Sequence, residues 1–171
     1  MYKEENFVNN ITREELLKRL YSLLEEKNIT VSTAESCTGG LIAGAITSVA
    51  GISSYYKEGF VTYSNEAKKK HLNVPNHTLE KHGAVSHQTA FYMVHGLIKN
   101  TGADVGVAVT GIAGPGGGTE EKPVGLVYIS VCAKDDATVT KNIFSGDREE
   151  VRNKTVDTAL KLLIEKIEEK F

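Results

Sequence analysis

Apolar positions along the chain alternate between a helical period and a strand-like period. Thr12 and Glu15 form a capping-box pattern, and the leucines that follow lie on one helical face as far as about Lys27. Alternating, β-branched runs predict strands at 29–34, 59–63, 105–110, 124–132 and 138–144. Further helices are predicted from Leu41 to about Val49, after Ser64 or Asn65, after Ser86 and from near Asp147.

The order of these elements predicts the fold class. Strands that alternate with helices favour a layered α/β domain, and the hairpin near the C-terminus makes its sheet mixed rather than all parallel. With 171 residues and no Pro- or Ser-rich linker, the sequence predicts one domain over residues 1–171. Residues 1–10 are expected to be a disordered N-terminal extension.

Composition and charge exclude several classes of protein. The net charge of −2 gives no basic excess, so direct binding to nucleic acid is not expected. Two cysteines, Cys37 and Cys132, are too few for a disulfide framework or a zinc site, and the sequence therefore indicates a reducing cytoplasm. The most apolar stretch, 41–52, is too short and too polar to cross a membrane.

Three segments rich in reactive or small residues follow predicted strands, at 35–40, 63–68 and 110–118. Ligands of α/β sheets bind beyond the carboxyl ends of strands, so these segments are expected to form a site. The last segment is Gly-rich but lacks the standard nucleotide-loop patterns, and a long flexible turn is the simpler interpretation. Arg148 and Arg152, one helical turn apart, suit a phosphate or carboxylate, or are solvated surface residues.

Ser36 lies between a strand and the start of a helix. Free amides at a helix start can stabilise an oxygen that becomes anionic, as acyl transfer requires. Gly39 and Gly40 leave room for a ligand. From spacing alone, the more common expectation is that Ser36 or Thr38 merely caps the helix. Cys37 is the rival nucleophile, because a helix start lowers the pKa of a thiol.

A serine nucleophile needs a base. The five histidines show no catalytic or metal-ligand spacing and are interpreted as surface residues. A lysine can replace histidine if burial or neighbouring cations lower its pKa. Lys68 follows Tyr63 by five residues, and the Tyr63 hydroxyl could relay or orient a proton. The alternative is a solvated lysine run at 68–70 and a tyrosine of the core.

Six blocks of sequence together resemble the CinA C-terminal domain family. They are Thr33–Gly40, Gly59–Lys68, His82–Ser86, Gly111–Pro115, Glu121–Gly125 and Phe144–Arg148. The blocks stand in the order of the family, and the resemblance covers about residues 12–168. The stand-alone members of this family are nicotinamide-nucleotide amidohydrolases of the PncC type.

The resemblance implies a fold, a reaction and a set of catalytic residues. The fold is a three-layer α/β/α sandwich with a mixed sheet. The reaction is hydrolysis of the carboxamide of nicotinamide mononucleotide to nicotinate mononucleotide and ammonia, which returns the pyridine ring to NAD synthesis. The mechanism is that of a serine amidase without metal or other cofactor. The serine, tyrosine and lysine of the family match Ser36, Tyr63 and Lys68.

The remaining expected site residues hold the oxyanion and the substrate. Backbone amides near 37–40 are expected to bind the oxyanion, and the loop at 111–118 with Arg148 is expected to hold ribose and phosphate. Around the three catalytic residues the expected set is Cys37, Thr38, Gly39, Gly40, Thr110, Gly111, Ala113, Gly114 and Arg148.

The resemblance also implies a dimer or larger homo-oligomer, and it leaves other roles open, since some members are linked to competence or DNA damage. A non-catalytic nucleotide-binding or regulatory domain would keep the Gly-rich loop and leave Lys68 protonated. A protein-interaction module of the DNA-uptake machinery would present an exposed apolar patch and no ligand-sized cleft. The combination of Ser36, Tyr63 and Lys68 favours the enzyme, with a small-molecule substrate as its partner.

Overall fold

The computed structural model describes residues 11–171, so the predicted extension at 1–10 lies outside the described residues. Helices and strands alternate as the apolar pattern predicts. The strands are β1 (Val31–Glu35), β2 (Tyr56–Val61), β3 (Val105–Gly111), β4 (Leu126–Ala133) and β5 (Asp136–Ile143). The helices are α1 (Arg13–Lys27), α2 (Leu41–Thr47), α3 (Asn65–Leu72), α4 (Asn76–His82), α5 (His87–Thr101) and α6 (Arg148–Lys170), with a 3-10 turn at Ile52–Ser54.

These strands form one sheet in the order β2-β1-β3-β4-β5. Strand β1 runs parallel to both β2 and β3, whereas the pairs β3–β4 and β4–β5 are antiparallel. The predicted mixed sheet is therefore confirmed. Because the three parallel strands share a carboxyl edge, Glu35 lies there between Val61 and Val109. The segments that follow β1, β2 and β3 all leave the sheet at this edge.

Helices cover both faces of the sheet. On one face α1, α2 and α6 pack against β3 residues such as Val107, and on the other α3, α4 and α5 pack against Ala108. Gly106 faces α5, where an added Cβ would come within 3.0 Å of the side chains of Leu97 and Ile98. Small residues on this face of β3 therefore let α5 approach the sheet closely. The three-layer α/β/α sandwich is confirmed.

The predicted helix starts are confirmed by their caps. Thr12 forms the capping box with Glu15 at the start of α1. The side chains of Ser64 and Ser86 accept amide hydrogen bonds at the starts of α3 and α5, and Asp147 does the same at α6. Each cap satisfies amides that have no partner within the helix. The cap of α3 also matters for the site, because this helix supplies one of its side chains.

Helix α4 is an element that the apolar pattern does not predict. Asn73 ends α3 in the left-handed region, with φ of 53°, and Pro75 stands at the N-cap of α4. Only Thr78 and Leu79 of this seven-residue helix are buried, which is too little to show a helical period. Several boundaries also differ by two or three residues. Helix α2 ends before its predicted position, β2 and β5 begin before theirs, and β1 and β4 begin after theirs.

Gly96 of α5 packs directly on the end of α3, where an added Cβ would overlap the carbonyl oxygen of Leu72. We expect Gly96→Ala to lower the free energy of unfolding by about 1–3 kcal/mol, the usual cost of overpacking. Urea denaturation measures this change. The matched control is Gly44→Ala, because Gly44 is exposed on α2 and a Cβ there would have no atom within 4 Å. Equal stability of the two variants would contradict the close packing.

Candidate active site

Ser36 stands in the turn that joins β1 to α2. Its amide donates to the Val109 carbonyl of β3 at 3.1 Å, which extends the sheet pairing past the end of β1. The chain then turns through Gly39 and Gly40, whose φ values of 61° and 102° lie in the left-handed region that favours glycine. This turn lets α2 begin at Leu41, only a few residues after the serine.

The start of α2 is capped by the buried carboxylate of Glu35, the last residue of β1. Its oxygens accept hydrogen bonds from the amides of Gly40 (3.1 Å), Ile42 (3.0 Å) and Ala43 (2.7 Å) and from the hydroxyl of Thr38 (2.5 Å). The expectation that Ser36 or Thr38 merely caps this helix is therefore wrong. Sequence reasoning missed Glu35, although a charged residue that ends an otherwise uncharged strand is a usable signal.

Lys68 reaches Ser36 from α3. The Lys68 side chain is 1% exposed, and its amine lies 3.0 Å from Ser36 Oγ and 2.8 Å from the carbonyl oxygen of Thr62. Ser64 caps α3 through the Ala67 amide and so fixes the turn from which Lys68 points inwards. The interpretation of residue 68 as a solvated lysine is therefore wrong.

Burial lowers the pKa of the Lys68 amine from its ordinary 10.5 to about 8. Removal from water disfavours the charged form of an amine, and both hydrogen-bond partners of this amine are uncharged oxygens. A neutral amine is therefore accessible near neutral pH. Such an amine can take a proton from a hydroxyl group held beside it.

The Cys37 thiol is not activated by its position. Burial raises the pKa of this thiol to about 12, so its unreactive protonated form prevails at neutral pH. The expected lowering of the pKa at a helix start is wrong for two reasons. The sulfur is shielded from water, and Glu35 already places a carboxylate at the start of α2.

Tyr63 lies at the mouth of the site and is 61% exposed, so it is not a core tyrosine. Its hydroxyl accepts a hydrogen bond from Arg148 Nη2 at 3.0 Å, while Arg148 Nη1 donates to the Gly114 carbonyl at 2.7 Å. In the described part of the chain, no hydrogen bond joins Tyr63 to Ser36 or Lys68. Arg148 therefore ties Tyr63 to the Gly-rich loop, and relay of a proton through Tyr63 stays a prediction.

A cavity of about 290 Å³ brings most of the predicted residues together. The predicted residues that line it are Ser36, Cys37, Tyr63, Lys68, Thr110, Gly111, Ala113, Gly114 and Arg148. Thr38, Gly39 and Gly40 are outside its lining, because they form the turn that continues into α2. The volume lies at the small end of the range for ligand sites.

The segment that precedes α5 also lines this cavity, through Ala84 and Val85. The Thr110 hydroxyl donates to the Ala84 carbonyl at 2.7 Å and so fastens this segment to the end of β3. Neither residue has a predicted role, because small apolar side chains carry no chemical signal in a sequence. Their place in one of the resembling blocks is the only sign of them.

The turn after β1 leaves a backbone amide for a developing negative charge. The amide of Gly39 is used by a carbonyl within the turn, and that of Gly40 by the Glu35 carboxylate. Among the residues that the structure describes, the amides of Cys37 and Thr38 donate to no other residue. Of these two residues only Cys37 lines the cavity, so an oxyanion is expected at the Cys37 amide and not at the start of α2.

A larger cavity of about 810 Å³ adjoins the first and shares Ala113 and Arg148 with it. Arg152 also lines it and donates to the Thr38 carbonyl at 3.0 Å. The larger cavity contains neither Ser36 nor Lys68, so we assign the candidate active site to the smaller one. The larger cavity is lined by Asp147 and Glu149 as well as by the two arginines, and the two cavities together can accept a ligand longer than the smaller one alone could hold.

Residues 11–171 contain neither a metal-ligand cluster nor a membrane-spanning helix. No three His, Cys, Asp or Glu side chains lie close enough together there to hold a metal ion. No helix of that range combines the length and the apolar character needed to cross a lipid bilayer.

Comparison with known proteins decides the family. A model of the CinA C-terminal domain matches residues 13–167. The chain belongs to the CinA C-terminal domain family. The family membership that the sequence blocks predict is confirmed.

Two curated relatives of this CinA domain are longer than it is. A competence-damage inducible protein of Clostridium novyi is 54% identical over 153 residues, which are 90% of this chain and 36% of that protein. A CinA-like protein of Kosmotoga olearia is 47% identical over 154 residues, which are 90% of this chain and 37% of that protein. The chain therefore spans little more than a third of the length of these curated relatives.

Solved structures of CinA proteins share the fold. The competence/damage inducible protein CihA of Agrobacterium tumefaciens superposes with a TM-score of 0.88 at 49% identity, covering 90% of this chain and 94% of that one. The competence damage-inducible protein A (ComA) of Klebsiella pneumoniae gives 0.91 at 36% identity, covering 94% and 100%. The similarity extends over nearly the whole of both structures, so the sandwich is the fold that these CinA structures share.

The lowered pKa of Lys68 makes the stability of this CinA domain depend on pH. The unfolded chain, with a pKa of 10.5, binds more protons than the folded protein between pH 8 and 10.5, so stability from this group rises with pH there. We expect wild type to gain stability over Lys68→Met across that window in urea denaturation. Lys70→Met, at an exposed position, is the control and should follow wild type. Parallel curves for wild type and Lys68→Met would contradict the lowered pKa.

Proposed function

We propose that this CinA domain hydrolyses the carboxamide of nicotinamide mononucleotide to nicotinate mononucleotide and ammonia. The observation that carries the proposal is the buried pair of Ser36 and Lys68, with Oγ and Nζ 3.0 Å apart. A serine beside an amine of lowered pKa is equipped for acyl transfer. The choice of substrate is supported by the match of Ser36, Tyr63 and Lys68 to the stand-alone amidohydrolases of the family.

In the proposed acylation, neutral Lys68 takes the proton of the Ser36 hydroxyl, and the serine oxygen attacks the amide carbon. The carbonyl oxygen becomes negative and binds the amide of Cys37. The C–N bond then breaks, and Lys68 gives its proton to the departing ammonia. In deacylation Lys68 takes a proton from water as the water attacks the ester. Ser36 recovers that proton when nicotinate mononucleotide leaves.

The two adjoining cavities suit a substrate with an amide at one end and a phosphate at the other. The pyridine amide would lie in the smaller cavity against Ser36, and the ribose and phosphate would pass the loop at 111–118 towards Arg148. Guanidinium groups bind phosphate oxygens in a planar, paired geometry. Arg148 is held by the Gly114 carbonyl and the Tyr63 hydroxyl, both uncharged, so its charge is available to a phosphate.

Several properties of the protein follow from this proposal and remain predictions. The reaction uses no cofactor, since serine and lysine supply the nucleophile and the base. The enzyme acts in the cytoplasm as a homo-oligomer and does not bind nucleic acid directly. The two free cysteines, Cys37 and Cys132, are both buried and so suit a reducing compartment.

Loss of either member of the Ser36–Lys68 pair is expected to abolish turnover. We expect Ser36→Ala and Lys68→Ala to release ammonia from nicotinamide mononucleotide at least about 10³-fold more slowly than wild type, because nucleophile and base act as a unit. Lys70→Ala, from the exposed part of the lysine run, is the control. Full activity in Ser36→Ala would eliminate the nucleophile. Nucleotide binding without turnover by wild type, seen by calorimetry, would favour the regulatory domain instead.

The Tyr63 hydroxyl accepts a hydrogen bond from Arg148 and makes none with Lys68. Its two candidate roles, holding Arg148 and relaying a proton, can therefore be distinguished. We expect Tyr63→Phe to reduce kcat/KM by about tenfold or less, mainly through a higher KM, because the variant loses the link to Arg148 and keeps the Ser36–Lys68 pair. Steady-state kinetics of ammonia release give both constants. If turnover instead slows by about 100-fold or more while KM is unchanged, Tyr63 relays a proton.

A further inference from the structure

Glu35 is a buried acidic side chain that the proposed chemistry does not use. It is 0% exposed, and it forms no salt bridge with any residue that the structure describes. Its charge is balanced by four hydrogen-bond donors within the next eight residues, three of them amides. A buried carboxylate is costly unless donors surround it, so this arrangement needs an explanation beyond the packing of the strand.

The carboxylate of Glu35 differs from an ordinary helix cap in where it comes from. In α1 and α6 the capping side chain belongs to the N-cap residue itself, Thr12 or Asp147. The N-cap of α2 is Gly40, which has no side chain, and the acceptor comes instead from five residues earlier. The hydrogen bonds of Glu35 therefore reach across the turn at 36–39 and tie its two ends together.

This tie determines which donors the turn offers to a ligand. Glu35 uses the three amides that give the start of α2 its attraction for anions, those of Gly40, Ile42 and Ala43. Its fourth bond fixes the Thr38 hydroxyl inside the turn. What remains for an oxyanion is the amide of Cys37, a residue that lines the cavity. The serine directly after Glu35 is held at the same time with its oxygen towards Lys68.

We propose that Glu35 is a positioning residue, which locks the turn so that the Ser36 oxygen meets Lys68 and the oxyanion meets the amide of Cys37. The proposal rests on the amidohydrolase function proposed above. Glu35 acts only through the turn, because it is not in the lining of the active-site cavity.

The test uses Glu35→Gln, which keeps the shape of the side chain but turns NH₂ hydrogens towards at least one amide or hydroxyl donor. We expect kcat for ammonia release to fall by about 10- to 100-fold, the usual effect of a misplaced reacting group. KM should stay within about twofold, since no substrate contact is lost. The pH midpoint of kcat/KM should also stay, because Glu35 does not touch the Lys68 amine.

The matched control is Glu15→Gln, which removes the carboxylate from the capping box of α1, remote from the active-site cavity. It should turn over substrate as fast as wild type. Thr38→Val is the second variant, since it removes a single donor to Glu35 and decides the matter if Glu35→Gln does not fold. A folded Glu35→Gln or Thr38→Val with unchanged kcat, or with a raised KM alone, would overturn the positioning role.

A second readout does not depend on the substrate. A fluorophosphonate reagent forms a bond from Ser36 Oγ to phosphorus while the P–F bond breaks, the hydroxyl proton passes to Lys68 and fluoride leaves. Intact mass reports the rate. We expect Glu35→Gln to slow this labelling by at least about tenfold and Glu15→Gln to leave it unchanged. If wild type releases no ammonia but Glu35→Gln still slows labelling, the proposed substrate fails and the positioning role stands. Equal labelling of wild type and Glu35→Gln would refute that role.

Discussion

Burial of the Lys68 amine without a carboxylate beside it is the constraint on which the site depends. A nearby carboxylate would stabilise the ammonium form and raise its pKa, and the lysine would then be useless as a base. The fold provides two uncharged oxygens instead, from Ser36 and Thr62. Because burial disfavours the charged form of the Lys68 amine, it lowers the pKa of that amine, as the proposed hydrolysis requires.

The same constraint explains how a second buried ionisable group can stand next to the serine. Glu35 directly precedes Ser36, yet its oxygens face the amides of α2 and not the amine of Lys68. Glu35 accepts hydrogen bonds from uncharged donors, and the Lys68 amine donates to uncharged oxygens, so the two groups do not form a salt bridge. Pairing them would favour the charged form of the Lys68 amine and remove the base.

The topology of the sheet brings these residues together. Strand β1 lies between β2 and β3 and is parallel to both, so the chain leaves all three strands at one edge. Ser36 and Lys68 are 32 positions apart in the sequence, and the crossover through α2 and β2 to α3 returns the chain to a contact of 3.0 Å. The residues at this edge that line the cavity are mostly small, which leaves space for a ligand.

The features that the sequence could predict are those set by residues close together in the chain. Caps such as Thr12, Ser64 and Asp147 act within four residues of themselves, and the alternation of strands with helices requires a layered fold. The expectation that three strand ends meet rests on a general property of α/β sheets. These predictions needed no knowledge of which side chain faces which, and the structure agrees with them.

What the sequence could not predict depends on tertiary contacts. Glu35 is an exception, because all four of its donors lie within the next eight residues. It was missed because the usual cap patterns consider only the residue directly before a helix. Burial raises the pKa of Cys37 where a free helix start would lower it, so a local rule gave the opposite sign. The bond between Tyr63 and Arg148 joins residues 85 positions apart, a distance over which no pattern in one sequence gives a signal.

The proposed reaction changes the charge that faces Lys68. A carboxamide is neutral, so the amine can remain neutral while the substrate binds, whereas the product is a carboxylate formed within reach of that amine. A carboxylate favours the ammonium form, and the product therefore reverses the condition that burial creates. The affinity that holds the nucleotide must then come from a charge remote from the reacting carbon, since attraction at Lys68 would strengthen only after hydrolysis. Arg148, at the mouth of the cavity and paired with no carboxylate in the described chain, is placed to provide it.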